Sequence, residues 1–104
     1  MRRVRRPHFP LARVKAAFAG VARLNRTFTA TDGAEDLGMD TQAVADVIAS
    51  LTAADFDKSM RSEINAAVWQ DVYRPVVAGR ELYVKFTTDM RGDLLLISFK
   101  ENEP

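Results

Sequence analysis

Lys58, Gln70, Tyr83 and Lys100 are the residues whose types invite chemistry, and they lie on four separate runs that read as β-strands. Tyr83 alternates with Leu82 and Val84, and Lys100 with Phe99, so both fall on the polar faces of their strands. Lys58 stands between Phe56 and Met60, and Gln70 between Val68 and Val72, so each is predicted to share an otherwise apolar face. A lysine or an amide in such a place is costly if buried without partners. A position at a sheet rim, with the side chain reaching for water, is the simplest account of it. Together these residues offer two cations, a phenol and an amide, and such a set can act on RNA. The ribose 2′-hydroxyl is a built-in nucleophile. A protein need only help remove its proton, stabilise charge on the pentacoordinate phosphorus, and protonate the departing 5′-oxygen. A lysine or arginine can do the second task, and a tyrosine or a lysine of lowered pKa can do one of the proton transfers. Dependence on the 2′-hydroxyl would select RNA over DNA.

Other chemistries are excluded by what the chain lacks. His8 is its one histidine, so a two-histidine ribonuclease mechanism is ruled out. There are no cysteines, which removes disulfides, thiol nucleophiles and cysteine zinc sites. No His/Asp/Glu group has metal-ligand spacing, no glycine-rich phosphate loop is present, and there is no Ser-His-Asp set. No metal and no cofactor is therefore expected. The longest apolar run is far too short for a membrane span, and no signal-type run follows the basic start, so a cytoplasmic protein is expected.

A single domain over residues 1–104 must position the four side chains. Leu11, Val14, Phe18 and Val21 recur at helical spacing, with Gly20 as a stop. Thr27 to Thr29 reads as an edge strand. Asp32 and Glu35 stand in capping-box register for a short helix that Gly38 ends. Asp40 caps another, with Val44, Val47, Ile48 and Leu51 as its buried stripe and Met39 and Val44 at staple spacing. Strands are predicted over Phe56 to Arg61, Val68 to Arg74, Leu82 to Thr88 and Leu94 to Lys100. The last is predicted to alternate Leu95, Ile97 and Phe99 against Leu96, Ser98 and Lys100. The connections are short enough to require antiparallel neighbours. Helices first and a meander after them make an α+β domain: two to three N-terminal helices on one face of a C-terminal antiparallel sheet.

Charge is unevenly distributed. Residues 1–31 hold Arg2, Arg3, Arg5, Arg6, Arg13, Lys15, Arg23 and Arg26 and no acid, while residues 32–57 hold seven acids and no lysine or arginine. An acid-free basic end suits a polyanion or an acidic protein. Residues 1–7 by themselves read as a flexible, solvated lead-in.

The run Trp69-Gln70-Asp71-Val72-Tyr73-Arg74-Pro75 resembles the WQDVYRP signature of the MqsR family of toxin ribonucleases. Pro7-His8, Leu11 and Val14-Lys15 resemble the family's N-terminal block. Asp36-Leu37-Gly38-Met39-Asp40, Asp55-Phe56, Lys58-Ser59-Met60, Tyr83-Val84-Lys85 and Ile97-Ser98-Phe99-Lys100-Glu101 resemble later ones. Asp57 departs from the pattern, standing where an aromatic residue is expected.

The resemblance implies a RelE-like fold and a metal-independent, ribosome-independent endoribonuclease acting on single-stranded mRNA. It implies Lys58, Gln70, Tyr83 and Lys100 as the catalytic set. Lys58 and Lys100 would hold the phosphate, Tyr83 would transfer a proton and Gln70 would orient substrate, with acid and base left open. Tyr73, Arg74 and Lys85 are candidate RNA contacts, and a packing role suits Tyr73 equally well. The implied partner is an MqsA-like antitoxin, zinc-containing with a helix-turn-helix, through which alone the toxin would meet operator DNA. A non-catalytic RNA-binding or antitoxin-binding module is the competing reading.

Overall fold

The computed structural model describes residues 3–20, 24–65 and 67–103. Arg2, Val21 and Arg23, which figured in the basic stretch and the first helical stripe, lie outside them. In chain order the elements are β1 (Arg3–Val4), α1 (Leu11–Ala17), α2 (Phe28–Asp36), α3 (Thr41–Ser50), a single 3-10 turn (Ala53–Asp55), β2 (Phe56–Arg61), β3 (Trp69–Tyr73), β4 (Val76–Val77), β5 (Arg80–Thr88) and β6 (Leu94–Glu101). Arg3–Val4, in the stretch expected to be a solvated lead-in, pairs with Met60 and Ser59 of β2.

Each helix begins and ends for a local reason. The Pro10 carbonyl accepts from Arg13 and Val14 at 3.0 and 3.1 Å and opens α1, which buries Val14; Phe18 is buried at its C-cap. The α2 helix starts earlier than expected. Thr27 is its N-cap, its hydroxyl accepting from the Ala30 N–H at 3.2 Å, so the predicted edge strand over Thr27 to Thr29 does not form. Threonine serves strands and caps alike, and Phe28 is 90 % exposed, so no burial demands a strand there. What remains of that expectation is a parallel bridge from Arg26 to Leu96. Gly38, at φ 71°, ends α2: its N–H reaches the Glu35 carbonyl and the Met39 N–H the Ala34 carbonyl, both at 2.9 Å. Asp40 caps α3 as expected, accepting from the Ala43 N–H at 2.9 Å, and Val44, Val47, Ile48 and Leu51 are all buried.

The strands form an antiparallel sheet ordered β1-β2-β3-β5-β6, with β4 pairing against the early part of β5. Ala78 and Gly79, at φ 51° and 79°, make the two-residue turn between β4 and β5. The three helices cover one face. There Val14, Phe18, Ala30, Ala34, Val44, Val47, Ile48 and Leu51 meet Tyr73, Leu82, Val84, Phe86, Leu94, Leu96 and Phe99 in a single core. The α2 helix comes so close to β6 that a Cβ on Gly33 would strike the Phe99 carbonyl oxygen.

Two bulges decide which side chains face away from the helices. On β2, Phe56 pairs with Tyr73 and Lys58 with Val72, which leaves Asp57 as the extra residue. Phe56 therefore turns into the core, edge-on to Tyr73 at 5.5 Å, and does not share a face with Lys58 as the alternation suggested. On β6, Ser98 pairs with Lys85 and Leu96 with Phe86, which leaves Ile97 extra. So Leu94, Leu96 and Phe99 are buried, while Leu95 and Ile97 are only partly so. This corrects the expected grouping of Leu96 with Ser98 and Lys100: a bulge resets the phase of a strand by one residue.

Candidate functional site

The face opposite the helices is built in rows across the strands. Met60 on β2 pairs with Gln70 on β3. In the next row Lys58 pairs with Val72, Val72 with Lys85 on β5, and Lys85 with Ser98 on β6. In the row after that Tyr83 pairs with Lys100. Lys58, Gln70, Tyr83 and Lys100 thus stand on one face of the sheet, with Lys85 in their middle. Met60 and Val72 on this face are buried yet belong to no part of the helix-side core. Val72 has Lys58 and Lys85 as its cross-strand neighbours on this face, and a lysine stem can cover apolar surface while its ammonium stays in water.

Two ammonium groups lie close to the Tyr83 ring: the Nζ of Lys100 is 5.6 Å from its centroid and that of Lys85 5.8 Å. Burial, and then the Asp57 carboxylate, raise the Tyr83 pKa above the ordinary phenol value, against a smaller opposite pull from Arg74. Lys85 is moved the other way. Burial lowers its pKa below the usual lysine value, and the charges of Lys100 and Lys58 lower it further. One strand therefore holds, two residues apart on the same face, a phenol that keeps its proton and an amine that gives its proton up more readily.

Arg74 follows β3 and reaches Glu81 at 2.9 Å and Asp57 at 3.8 Å. The hydrogen bond to Glu81 raises its pKa, and the same bond lowers that of Glu81, which also accepts from Asn102 Nδ2 at 2.7 Å. A phosphate contacting Arg74 would have to compete with these carboxylates.

Tyr73, a candidate RNA contact in the sequence, is fully buried on the helix side, edge-on to Phe56 and Phe86. It cannot stack on a base; the packing role is the one the fold gives it. Alternation explains this, since Tyr73 pairs with Val84, whose face is the core. Its hydroxyl has no hydrogen-bond partner among the described residues, and its pKa is pushed up to about 12 by burial and then by Asp71.

The Trp69–Pro75 run is thus divided by the pleat. Gln70 and Val72 face the lysines, while Asp71 and Tyr73 face inward. Asp71 is fully buried and accepts from three donors: Ser59 Oγ at 2.6 Å, the Phe9 N–H at 2.8 Å and the His8 N–H at 3.1 Å. The His8 ring stacks on Trp69 at 5.3 Å and 11°, with the Arg61 guanidinium 5.3 Å from the same indole. Sequence reasoning missed the parts played by Asp57, Ser59 and Asp71. Only a carboxylate between two inward positions of a strand could have signalled the last.

Two clefts flank the sheet. One of about 480 Å³, between α2 and β6, opens beside Lys100 and is lined by Asp32, Asp36, Arg80 and Glu101. The other, of about 720 Å³, collects Arg13, Arg26 and Arg91 from the basic part of the chain and the β5–β6 turn. Among the described residues no group of three or more His, Asp or Glu is placed to hold a metal ion. None of the described helices is long and apolar enough to cross a membrane.

An α+β protein with helices on one sheet face and a lysine, tyrosine and glutamine patch on the other is the class that fold and site define. The model of the MqsR toxin family, described as motility quorum-sensing regulator, toxin of MqsA, matches residues 6–101. The chain is 37% identical over 97 residues to the mRNA interferase toxin MqsR of Escherichia coli (strain K12), covering 93% of this chain and 96% of that protein. The chain belongs to the MqsR toxin family.

Proposed function

We propose that this protein is a metal-independent, ribosome-independent endoribonuclease toxin. It cleaves single-stranded mRNA by attack of the 2′-hydroxyl on the adjacent phosphorus. Membership of the MqsR family makes it an mRNA interferase by homology. The observation that carries the chemistry is the common face of Lys58, Gln70, Tyr83 and Lys100. Lys58 and Lys100 hold the phosphate and balance the charge that grows on it in the transition state. Gln70, with donor and acceptor on one amide, orients the ribose or a base. Tyr83 takes part in proton transfer, Lys85 contacts the RNA on the same surface, and Arg74 holds a flanking phosphate if its carboxylates release it. The products are a 2′,3′-cyclic phosphate and a 5′-hydroxyl.

In the cytoplasm of a bacterium such a toxin must be restrained. The family description names MqsA. The proposed partner is an antitoxin of that type, taken as zinc-containing and as bearing a helix-turn-helix that carries the pair to operator DNA. The antitoxin, not this chain, would hold the zinc.

The test is to incubate the purified chain with a defined mRNA in EDTA and map the new 5′ ends. Cleavage that persists in EDTA, stops at a 2′-deoxy position, and is lost in Lys58→Ala and Gln70→Ala supports the reading. Intact RNA, with normal binding to it, would leave only a binding module.

A further inference from the structure

We infer that Lys85 is the general base of the reaction, taking the 2′-hydroxyl proton, and that Tyr83 is the general acid, giving its proton to the departing 5′-oxygen. This rests on the ribonuclease reading above and assigns two roles that it leaves open. The case begins with position. Lys85 occupies the centre of the lysine face, with Val72 on one side and Ser98 on the other, and Lys58 one strand further on. Tyr83 is two residues away on the same strand and face, with the Lys85 Nζ 5.8 Å from its ring centroid. In an extended strand that spacing is about 7 Å along the backbone, so both groups fall within the reach of one phosphodiester. Lys100, exposed at the rim and level with Tyr83, and Lys58, at the far end of the Lys85 row, remain as the cations for the phosphate.

Electrostatics separate the two roles in the same sense. The groups facing Lys85 are Lys58 from β2, Lys100 from β6 and Tyr83 on its own strand, while β3 presents the uncharged Gln70 and Val72. No carboxylate is among the causes that move Lys85, and every one of them favours the free amine. Facing Tyr83 are Lys85, Lys100, Asp57 from β2 and Arg74 after β3, and the balance favours the protonated phenol. Two titratable groups whose surroundings push them in opposite directions are the usual mark of a base and an acid side by side. The step balances. The 2′-O–H proton passes to the Lys85 amine as the O2′–P bond forms. The P–O5′ bond breaks, and the Tyr83 proton moves to O5′. The ammonium then returns a proton to the phenolate, directly or through water, and the site is reset.

The experiment uses the whole 104-residue chain and two short RNAs. One holds the mapped cleavage site; the other has that single bond replaced by a 5′-bridging phosphorothiolate, whose sulfur leaves without a proton. Tyr83→Phe is expected to slow the normal RNA about 100-fold or more and to recover to within about tenfold of wild type on the sulfur substrate. Lys85→Arg keeps the positive charge but cannot act as a base near neutral pH. It is expected to slow both RNAs about 100-fold or more and to lose the rising limb of the pH–rate profile. Lys85→Ala is the second variant: added ethylamine should restore its cleavage in proportion to the free-amine concentration, which no folding defect would do. Lys85→Arg within about threefold of wild type, with Lys58→Ala inactive, would overturn the assignment and leave the ribonuclease reading standing. So would the reverse pattern, with the sulfur substrate rescuing Lys85→Arg and not Tyr83→Phe. Failure of the wild-type chain to cut either RNA would sink both.

Discussion

The Asp71 carboxylate, fully buried on β3, accepts the backbone N–H of Phe9 at 2.8 Å, across 62 residues of chain. It also holds the His8 N–H and the Ser59 hydroxyl, so one side chain ties the lead-in to α1 and the neighbouring β2 strand to the strand that bears Gln70. Removing a buried acceptor of several donors leaves each of them without a partner. Asp71→Ala should therefore destabilise the fold by roughly 3 kcal/mol or more, and Ser59→Ala by about 1 kcal/mol. Urea unfolding measures both. A loss below about 1 kcal/mol in Asp71→Ala would mean that the carboxylate does not anchor the lead-in.

Tyr73 gives the fold an alkaline limit. Burial, and then Asp71, push its hydroxyl from the ordinary phenol value of 10.0 up to about 12, so the folded state holds the proton more tightly than the unfolded chain does. For a pKa raised on folding, the stabilisation is complete below pH 10 and is lost as pH climbs from about 10 to 12. That difference corresponds to about 3 kcal/mol. Tyr83, also raised, adds to the loss above the ordinary phenol value. Tyr73→Phe keeps the ring and deletes a hydroxyl that has no partner among the described residues. Its stability at pH 7 should equal that of wild type or exceed it by up to about 1 kcal/mol, and its decline above pH 10 should be shallower. Parallel alkaline unfolding curves for the two proteins would refute this.

Gly33 is required for packing rather than for helix formation. In an exposed helix, Gly→Ala is worth nearly ~1 kcal/mol of added stability. Here a methyl group would meet the Phe99 carbonyl, which is fixed backbone of β6 and cannot swing aside. Gly33→Ala should instead cost about 1–3 kcal/mol, read as a lower thermal midpoint. Because Lys100 follows Phe99, the variant should also lose ribonuclease activity beyond what its unfolded fraction explains.

Much of this architecture is legible from side-chain spacing. The α3 stripe, the Asp40 cap and the spans of β2, β5 and β6 follow from period and punctuation, because amphipathic burial sets them. The bulges at Asp57 and Ile97 are not legible. In Leu94 to Ile97 every residue is apolar, so a one-residue phase shift leaves no trace in the pattern. Nor could Phe56 be placed, since an aromatic residue fits either face. Thr27 was ambiguous for a similar reason, being equally suited to a strand and to a cap. The site residues came from a resemblance in their motifs. What the residues alone established was only that Tyr83 and Lys100 point away from apolar neighbours; that Lys58 and Gln70 join them depends on pairing between strands, which no single strand encodes.

Asp57 connects the β2 bulge to the chemistry of Tyr83. As the extra residue of the bulge it stands near Arg74, at 3.8 Å, and its negative charge helps to hold the Tyr83 proton in place. Burial makes the larger contribution to that shift, so neutralising Asp57 should reduce it without abolishing it. The chain has two tyrosines, and in a Tyr73→Phe background the phenolate absorbance reports Tyr83 alone. There Asp57→Asn should move the Tyr83 titration toward the ordinary phenol value. If Tyr83 delivers a proton to the leaving oxygen, the same substitution should move the alkaline limb of the pH–rate profile downward by the same interval, since both report one group. An unchanged phenol titration would show that the Asp57 charge does not reach Tyr83. A shifted titration beside an unmoved rate profile would show that the proton of this tyrosine takes no part in the rate-limiting step.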